Sequence, residues 1–302
     1  MQYYGKRWLE SGPHLLAAAA VCLLGACATV TLTPALQPLT KDTLMLMGAK
    51  GMEVPAPMFI RIFKEESEFE IWKRRDDGRF HHLKTYPICN WSGGLGPKVQ
   101  QGDRQAPEGF YHIASSQMNP NSQFYLAFDL GFPNAYDRAN KRTGDFLMVH
   151  GKCKSAGCYA MTDALIEEIY ALARESYVGG QDYIQVHAMP FRMTDANMAR
   201  HQDDKWAPFW RTLKEGYDHF ELTHLPPDVV VCQKQYVVNA KLPGGLPVGK
   251  LDPEATCPAL ERGAVTPFVQ SAAVQAGAQS PNPNSKAPPI SGSPAVNLST
   301  LR

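Results

Sequence analysis

A histidine and a cysteine in the run HGKCKSAGC, at residues 150–158, are the side chains of this chain best suited to covalent chemistry. A thiol attacks a carbonyl as its thiolate, and a nearby imidazole can take the proton. His150 and Cys158 are therefore the expected catalytic pair, base and nucleophile. Gly157 lets a substrate carbonyl approach the backbone just before Cys158, where main-chain N–H groups would hold an oxyanion, and Gly151 is assigned to the same turn. The same residues allow two other arrangements. His150, Cys153 and Cys158 offer three zinc ligands, although no Cys-x2-Cys pair completes the set. A Cys153–Cys158 disulfide is equally compatible with the spacing and would disable the nucleophile.

The flanking sequence says how these residues would be held. FLMVH, at 146–150, is expected to be a buried strand that delivers His150 to its end. MTDALIEEIYALARES, at 161–176, has the apolar spacing of an amphipathic helix. Strand, turn and helix would put Cys158 close to a helix N-terminus, whose partial positive charge lowers a thiol pKa. Upstream, IRIF and EFEIW alternate around the polar KEES and predict a β-hairpin within residues 58–75. Asp77-Gly78 marks a further turn before a strand in HHLKTYPICNW, at 81–91. His81 and His82 fall on opposite faces of that strand and cannot easily bind one ion. The glycine-rich stretch 92–105 lacks the Gly-Lys-Ser/Thr ending of a phosphate loop and is expected to be a connection near the cleft mouth. QDYIQVHAM, at 181–189, alternates as a strand with Tyr183, Gln185 and His187 on one face. His187 has either a polar role in the cleft or a purely structural one. Residues 203–220 predict a helix whose Trp206, Phe209, Trp210 and Tyr217 dock onto the sheet, and residues 226–238 form a late strand region.

With 302 residues and a formal net charge of +1, the chain lacks the basic excess of a nucleic-acid binder. The N-terminus gives an address instead. Lys6 and Arg7 precede the apolar run LLAAAAVCLLGAC, which is too short to span a bilayer comfortably and has the form of a secretion signal. Leu24-Gly25-Ala26-Cys27 is similar to a bacterial lipobox, which would make Cys27 the acylated mature N-terminus. Ordinary signal cleavage near Ala26 or Ala28 is the alternative. The expected organisation is a lipoprotein-type signal peptide at 1–26, a tether at 27–51, a catalytic domain at 52–239 and a disordered Pro/Ser/Ala-rich tail at 240–302. Of seven cysteines, two lie in the signal region. With Cys158 assigned to chemistry, Cys89, Cys153, Cys232 and Cys257 remain for pairing in an oxidising compartment, with connectivity open.

From 52 to about 239 the chain resembles the L,D-transpeptidase catalytic-domain family (YkuD-like), most closely its YafK-like branch. The segments that carry the resemblance are MVHGKCKSAGCYAMTD at 148–163, APEGFYHI at 106–113, MNPNSQFYLAFDLGFPNAYDR at 118–138 and VHAMPFRM at 186–193. The resemblance implies a mixed α/β, β-rich domain with a mixed sheet and peripheral helices. It also implies that Cys158 accepts the acyl group and that His150 moves the proton, with no cofactor and no metal. Ala156 stands where typical members have a second histidine, and Ala160 where they often have arginine. Ser155, Arg192 and His187 are therefore the candidate substrate contacts, with Arg192 as a possible replacement carboxylate partner or a structural one. The implied reaction joins a peptidoglycan stem peptide to Cys158 as a thioester. An amine acceptor on another stem or an envelope protein would make the enzyme a transpeptidase, and water would make it a hydrolase. A non-catalytic wall-binding lipoprotein is the reading from another class. The implied location is the periplasm of a Gram-negative cell, with a lipid anchor in the outer membrane.

Overall fold

A computed structural model describes residues 32–244, 246–247, 251–262 and 265–268. The signal peptide, Cys27 and the tail beyond 268 lie outside the described residues. Five helices are α1 (Lys41–Ala49), α2 (Ala135–Ala139), α3 (Asp163–Val178), α4 (Asp195–Arg200) and α5 (Ala207–Thr223). The strands of the main body are β1 (Met58–Phe63), β2 (Glu68–Arg74), β3 (Phe80–Pro87), β4 (Asn90–Trp91), β5 (Gly109–Ala114), β6 (Met118–Asn119), β7 (Ala127–Asp129), β8 (Met148–His150), β9 (Tyr159–Ala160) and β10 (Tyr183–Met189). They form two five-stranded sheets, ordered β3-β2-β1-β10-β5 and β4-β9-β8-β7-β6.

The first sheet is mixed. β1 runs parallel to β10, and its other neighbour β2 is antiparallel. Every residue of β1 is buried, because alternate side chains enter different cores. Met58, Ile60 and Ile62 share the main core with Ile166, Ile169 and Leu172 of α3. Phe63 faces Trp210, Leu213 and Tyr217 of α5, and Phe59 packs with Phe220. The sheet is thus covered on both faces by helices. Thr162 caps α3 by accepting a hydrogen bond from Leu165 N–H. α5 opens with Pro208 in its first turn and ends at His224, which is left-handed at φ 54°.

Two expected boundaries move. Residues 33–50, expected within a tether, instead form a 3-10 turn at Pro34–Leu36 and then α1, which pack on the domain. Ala35, Leu39 and Met47 join the main core, while Arg174 of α3 donates to Ala35 O and Gln37 O. Three buried apolar side chains and a half-buried arginine clamp dock a segment whose composition resembles a linker. At the other end, β11 (Val229–Cys232) and β12 (Gln235–Val238) form a hairpin, and β13 (Ala240–Leu242) pairs with β14 (Leu246–Pro247) and β15 (Glu261–Arg262). The domain therefore does not stop at 239. A Cys232–Cys257 disulfide ties this extension to the hairpin, and the Phe268 ring stacks on His224 at 4.0 Å. A covalent link, the contacts of the Phe268 ring with His224, His81 and Arg79, and main-chain bonds such as Gln233 N–H to Ala255 O replace the core that the composition lacks.

Candidate active site

The second sheet brings the histidine and the cysteine together. β8 and β9 are parallel, with Val149 opposite Tyr159 and His150 opposite Ala160. Because side chains alternate, His150 projects on the same face as Ala160, and Cys158, two residues before Ala160, shares that face. The expected strand at 146–150 is shorter than its apolar residues suggest. Leu147 is buried, but Phe146 is 68% exposed, and the strand begins only at Met148. β8 is short because Phe146 adopts φ 53°, which breaks extended pairing and turns its ring to the rim of a cleft.

That cleft, of about 850 Å³, is lined by His150, Cys158, Phe124, Phe146, Met148 and Lys154 together with Asn119, Ser122, Gln123, Ala127, Ser155 and Ala156. The Cys158 thiol is free and half-buried. Its Sγ accepts from Met148 N–H at 3.4 Å and lies 3.7 Å from Phe146 O. His150 is 3% exposed, and its ring rests against Phe124 at 4.6 Å. The His150 Nδ1 lies 2.6 Å from Gly151 O. A carbonyl only accepts, so Nδ1 carries the proton and Nε2 is left as the basic nitrogen. The main chain itself is the partner that orients the imidazole, a role for which the sequence offered no side chain.

Both groups are biased towards their neutral forms. Burial pushes the Cys158 thiol up, against the Met148 N–H bond, while Asp129 adds to the rise and Lys98 opposes it. Burial pulls the His150 imidazole down, partly offset by the bond to Gly151 O. The helix-terminus expectation is not met: β9 and the Thr162 cap separate Cys158 from α3, and the end-charge effect fades within one turn. Burial thus favours the thiol and the neutral imidazole over their ions.

The loop from 151 to 158 is bent sharply. Gly151 packs against Phe124 O and Asp163 Oδ1, where a Cβ would come within 2.8 and 2.6 Å. Gly157 has φ +131°, which favours glycine. Its N–H points at Ser155 Oγ, 3.3 Å away, so it is not free for an oxyanion as expected. Ser155 Oγ also donates to Cys158 O at 2.7 Å and meets Ser92 Oγ at 3.1 Å. Ser155 thus lines the cleft while serving the turn. Cys153 is bonded to Cys89, which removes both the Cys153–Cys158 disulfide and the zinc set that needed Cys153.

Two further candidates sit elsewhere. Arg192 pairs with Glu68 and with Glu70, the latter at 2.6 Å, and lies over the Phe63 ring. It serves the β2 edge and does not line the cleft. His187 is fully buried between the rings of Phe59 and Phe110, each 4.7 Å away, and its Nε2 lies 3.1 Å from Gln185 Nε2. Burial holds its pKa well below the usual imidazole value, and it too is absent from the cleft wall. Sequence reasoning missed Phe124 and Ser92 beside the site, neither of which carries a local chemical signal. It also missed the buried pair Lys64–Glu108, at 3.0 Å, that pins the 92–105 loop behind Gly157.

A sequence profile of the YkuD family, described as the L,D-transpeptidase catalytic domain, matches residues 60–208. YafK of Escherichia coli strain K12 is 48% identical over 187 residues, covering 62% of this chain and 76% of that protein. The chain belongs to the L,D-transpeptidase family. Within it, the chain falls in the YafK-like branch, and YafK of Escherichia coli O157:H7 matches with the same 48% identity. A solved structure, the helical cell shape determining protein Pgp2 (K307A mutant) from Campylobacter jejuni, is similar at 17% identity. It covers 64% of this chain and 66% of its own, with a TM-score of 0.38, too loose a likeness to carry an argument. Membership in the L,D-transpeptidases gives the general function, peptidoglycan remodelling, and leaves the chemistry of the individual residues to the geometry above.

Proposed function

We propose that this protein is a cysteine-dependent L,D-transpeptidase that transfers a peptidoglycan stem peptide through a thioester on Cys158. One observation carries the reading. A free thiol and an imidazole with its Nδ1 held by Gly151 O share one sheet face and open onto one cleft. His150 Nε2 takes the Cys158 proton as Sγ attacks the stem-peptide carbonyl, and the oxyanion meets Cys158's own main-chain N–H. Collapse expels the leaving amine, which receives the proton from His150, and leaves the thioester. An acceptor amine then attacks with His150 again as base. Its new amide keeps the acyl group, and the thiol regains its proton.

The experiment is product analysis by mass spectrometry after incubating purified protein with disaccharide tetrapeptide and an added amine. New stem-to-amine or stem-to-stem bonds support transfer. Shortened stems without any exchange into the amine would replace transfer with hydrolysis. Periplasmic location and a lipid anchor at Cys27 belong to the same proposal and rest on the sequence. Cys27→Ser should release the protein from membranes, and a wild-type protein that takes up no labelled fatty acid would refute the anchor.

A further inference from the structure

Residues 89–92 run along the loop that carries Cys158 and along β9 after it, and each of them meets one or the other. Cys89 is bonded to Cys153. Asn90 pairs with Ala160 and Trp91 with Tyr159. Ser92 Oγ lies 3.1 Å from Ser155 Oγ, and Ser155 binds both Gly157 N–H and Cys158 O. The covalent end of this brace sits at a left-handed bend of the loop. Lys152 and Cys153 adopt φ +61° and +55°, left-handed values that cost an L-residue about 1–2 kcal/mol each. Such bends persist only when their surroundings fix them. Lys152, Cys153 and Lys154 are all exposed, so burial does not do so here. Three hydrogen bonds act as anchors beside the disulfide: Lys152 N–H to the Asp163 side-chain Oδ1, Lys152 Nζ to Gln123 O, and Cys153 N–H to Met161 O. The second disulfide, Cys232–Cys257, joins the β11–β12 hairpin to the C-terminal extension and has no residue in the loop from 151 to 158.

We propose that Cys89–Cys153 is a positioning disulfide: Cys158 transfers acyl groups efficiently only when this bond is closed, and the reduced protein is folded but poorly active. The inference rests on the reading of Cys158 as nucleophile. Closing the bond removes two protons and two electrons from the thiols of Cys89 and Cys153. A disulfide of a dithiol–disulfide oxidoreductase accepts them and leaves as a dithiol. The enzyme would then gain its activity only in an oxidising compartment.

The test compares Cys89→Ser/Cys153→Ser with Cys232→Ser/Cys257→Ser, each in the full chain. Readouts are kcat and KM with disaccharide tetrapeptide, the pH profile of Cys158 alkylation by iodoacetamide, far-UV circular dichroism and Tm. The first pair is expected to lower kcat by about 100-fold with KM within about 3-fold, the scale of a nucleophile displaced by about 1 Å. Its alkylation midpoint should fall towards the ordinary thiol value as water reaches the loosened loop. The second pair should lower Tm and leave kcat and the alkylation profile unchanged. Wild-type kcat and alkylation in the first pair, or equal losses in both pairs, would overturn the inference. Should the first pair fail to fold, the remaining bond is opened with a phosphine in already folded Cys232→Ser/Cys257→Ser protein, the reductant is removed, and the same changes are expected at unchanged circular dichroism. Unchanged kcat after that opening overturns it too. Turnover surviving in Cys158→Ala would instead sink the nucleophile reading itself, which separates the two failures.

Discussion

At the scale of single residues, the account makes the proton the controlling species. Burial raises the Cys158 pKa and lowers that of His150, so thiol and imidazole are both neutral at rest. Alkylation of Cys158 should therefore rise with pH through a midpoint above the ordinary thiol value, and a midpoint below neutrality would mean a resting ion pair. The sign for His150 is opposite. Its depressed pKa keeps Nε2 basic into mild acid, so the acid limb of kcat/KM should lie below the usual imidazole value. His150→Gln should lower kcat by about 100- to 10,000-fold, the usual worth of a general base, with folding unchanged by circular dichroism. His150 and Cys158 were legible in the sequence because their types and the adjoining glycines announce chemistry. The Gly151 carbonyl that orients the imidazole was not, since every residue has a carbonyl and only the fold selects one. Arg192 and His187 were left open between a cleft role and a structural one, and the fold decides for the second: a salt bridge claims Arg192 and an aromatic core claims His187.

Among elements, the loop at 92–105 shows how distant burial supports the site. Lys64 Nζ donates to Gly96 O at 2.8 Å and to Glu108 at 3.0 Å, while Glu108 also accepts from Gly96 N–H and Trp210 Nε1, each at 2.8 Å. Lys64→Met leaves the Glu108 carboxylate buried without its cation, which should cost ~3–5 kcal/mol in urea denaturation. A loss below ~1 kcal/mol would show that the loop is held by its backbone alone. Gly157→Ala tests the turn before Cys158, the proposed nucleophile. Its φ of +131° and a Cβ 3.3 Å from Leu147 Cδ1 should strain the turn by about 1–3 kcal/mol and reduce turnover. The hairpin β1–β2, strands β3 and β10 and helices α3 and α5 were readable because period and caps agree with the final packing. α1 was not, because its docking depends on Ala35, Leu39 and Met47 meeting a helix over a hundred residues away, information that no local window contains.

For the whole molecule, five wholly or partly buried histidines are biased the same way. His82, His150, His187, His219 and His224 are all pulled below the usual imidazole pKa, burial being the leading cause in each. The native state then binds fewer protons than the unfolded chain, and stability conferred above the unfolded imidazole value is lost as pH falls through it. Urea midpoints should drop between pH 7 and pH 5, and His187→Gln should flatten that drop because its site is the most enclosed. A midpoint independent of pH in this range would contradict the burial assigned to these rings. The disulfide connectivity was likewise a whole-molecule property. An even set of four cysteines was visible, but Cys89 meets Cys153 only after the β4 and β9 strands pair.

Whether Cys158 carries the acyl group is decided by peptide mapping of protein quenched in acid during reaction with disaccharide tetrapeptide. The account predicts a hydroxylamine-sensitive acyl mass on the peptide containing Cys158, absent from Cys158→Ala and accumulating when the acceptor amine is withheld. An acyl mass on any other residue, or turnover by Cys158→Ala, would contradict it.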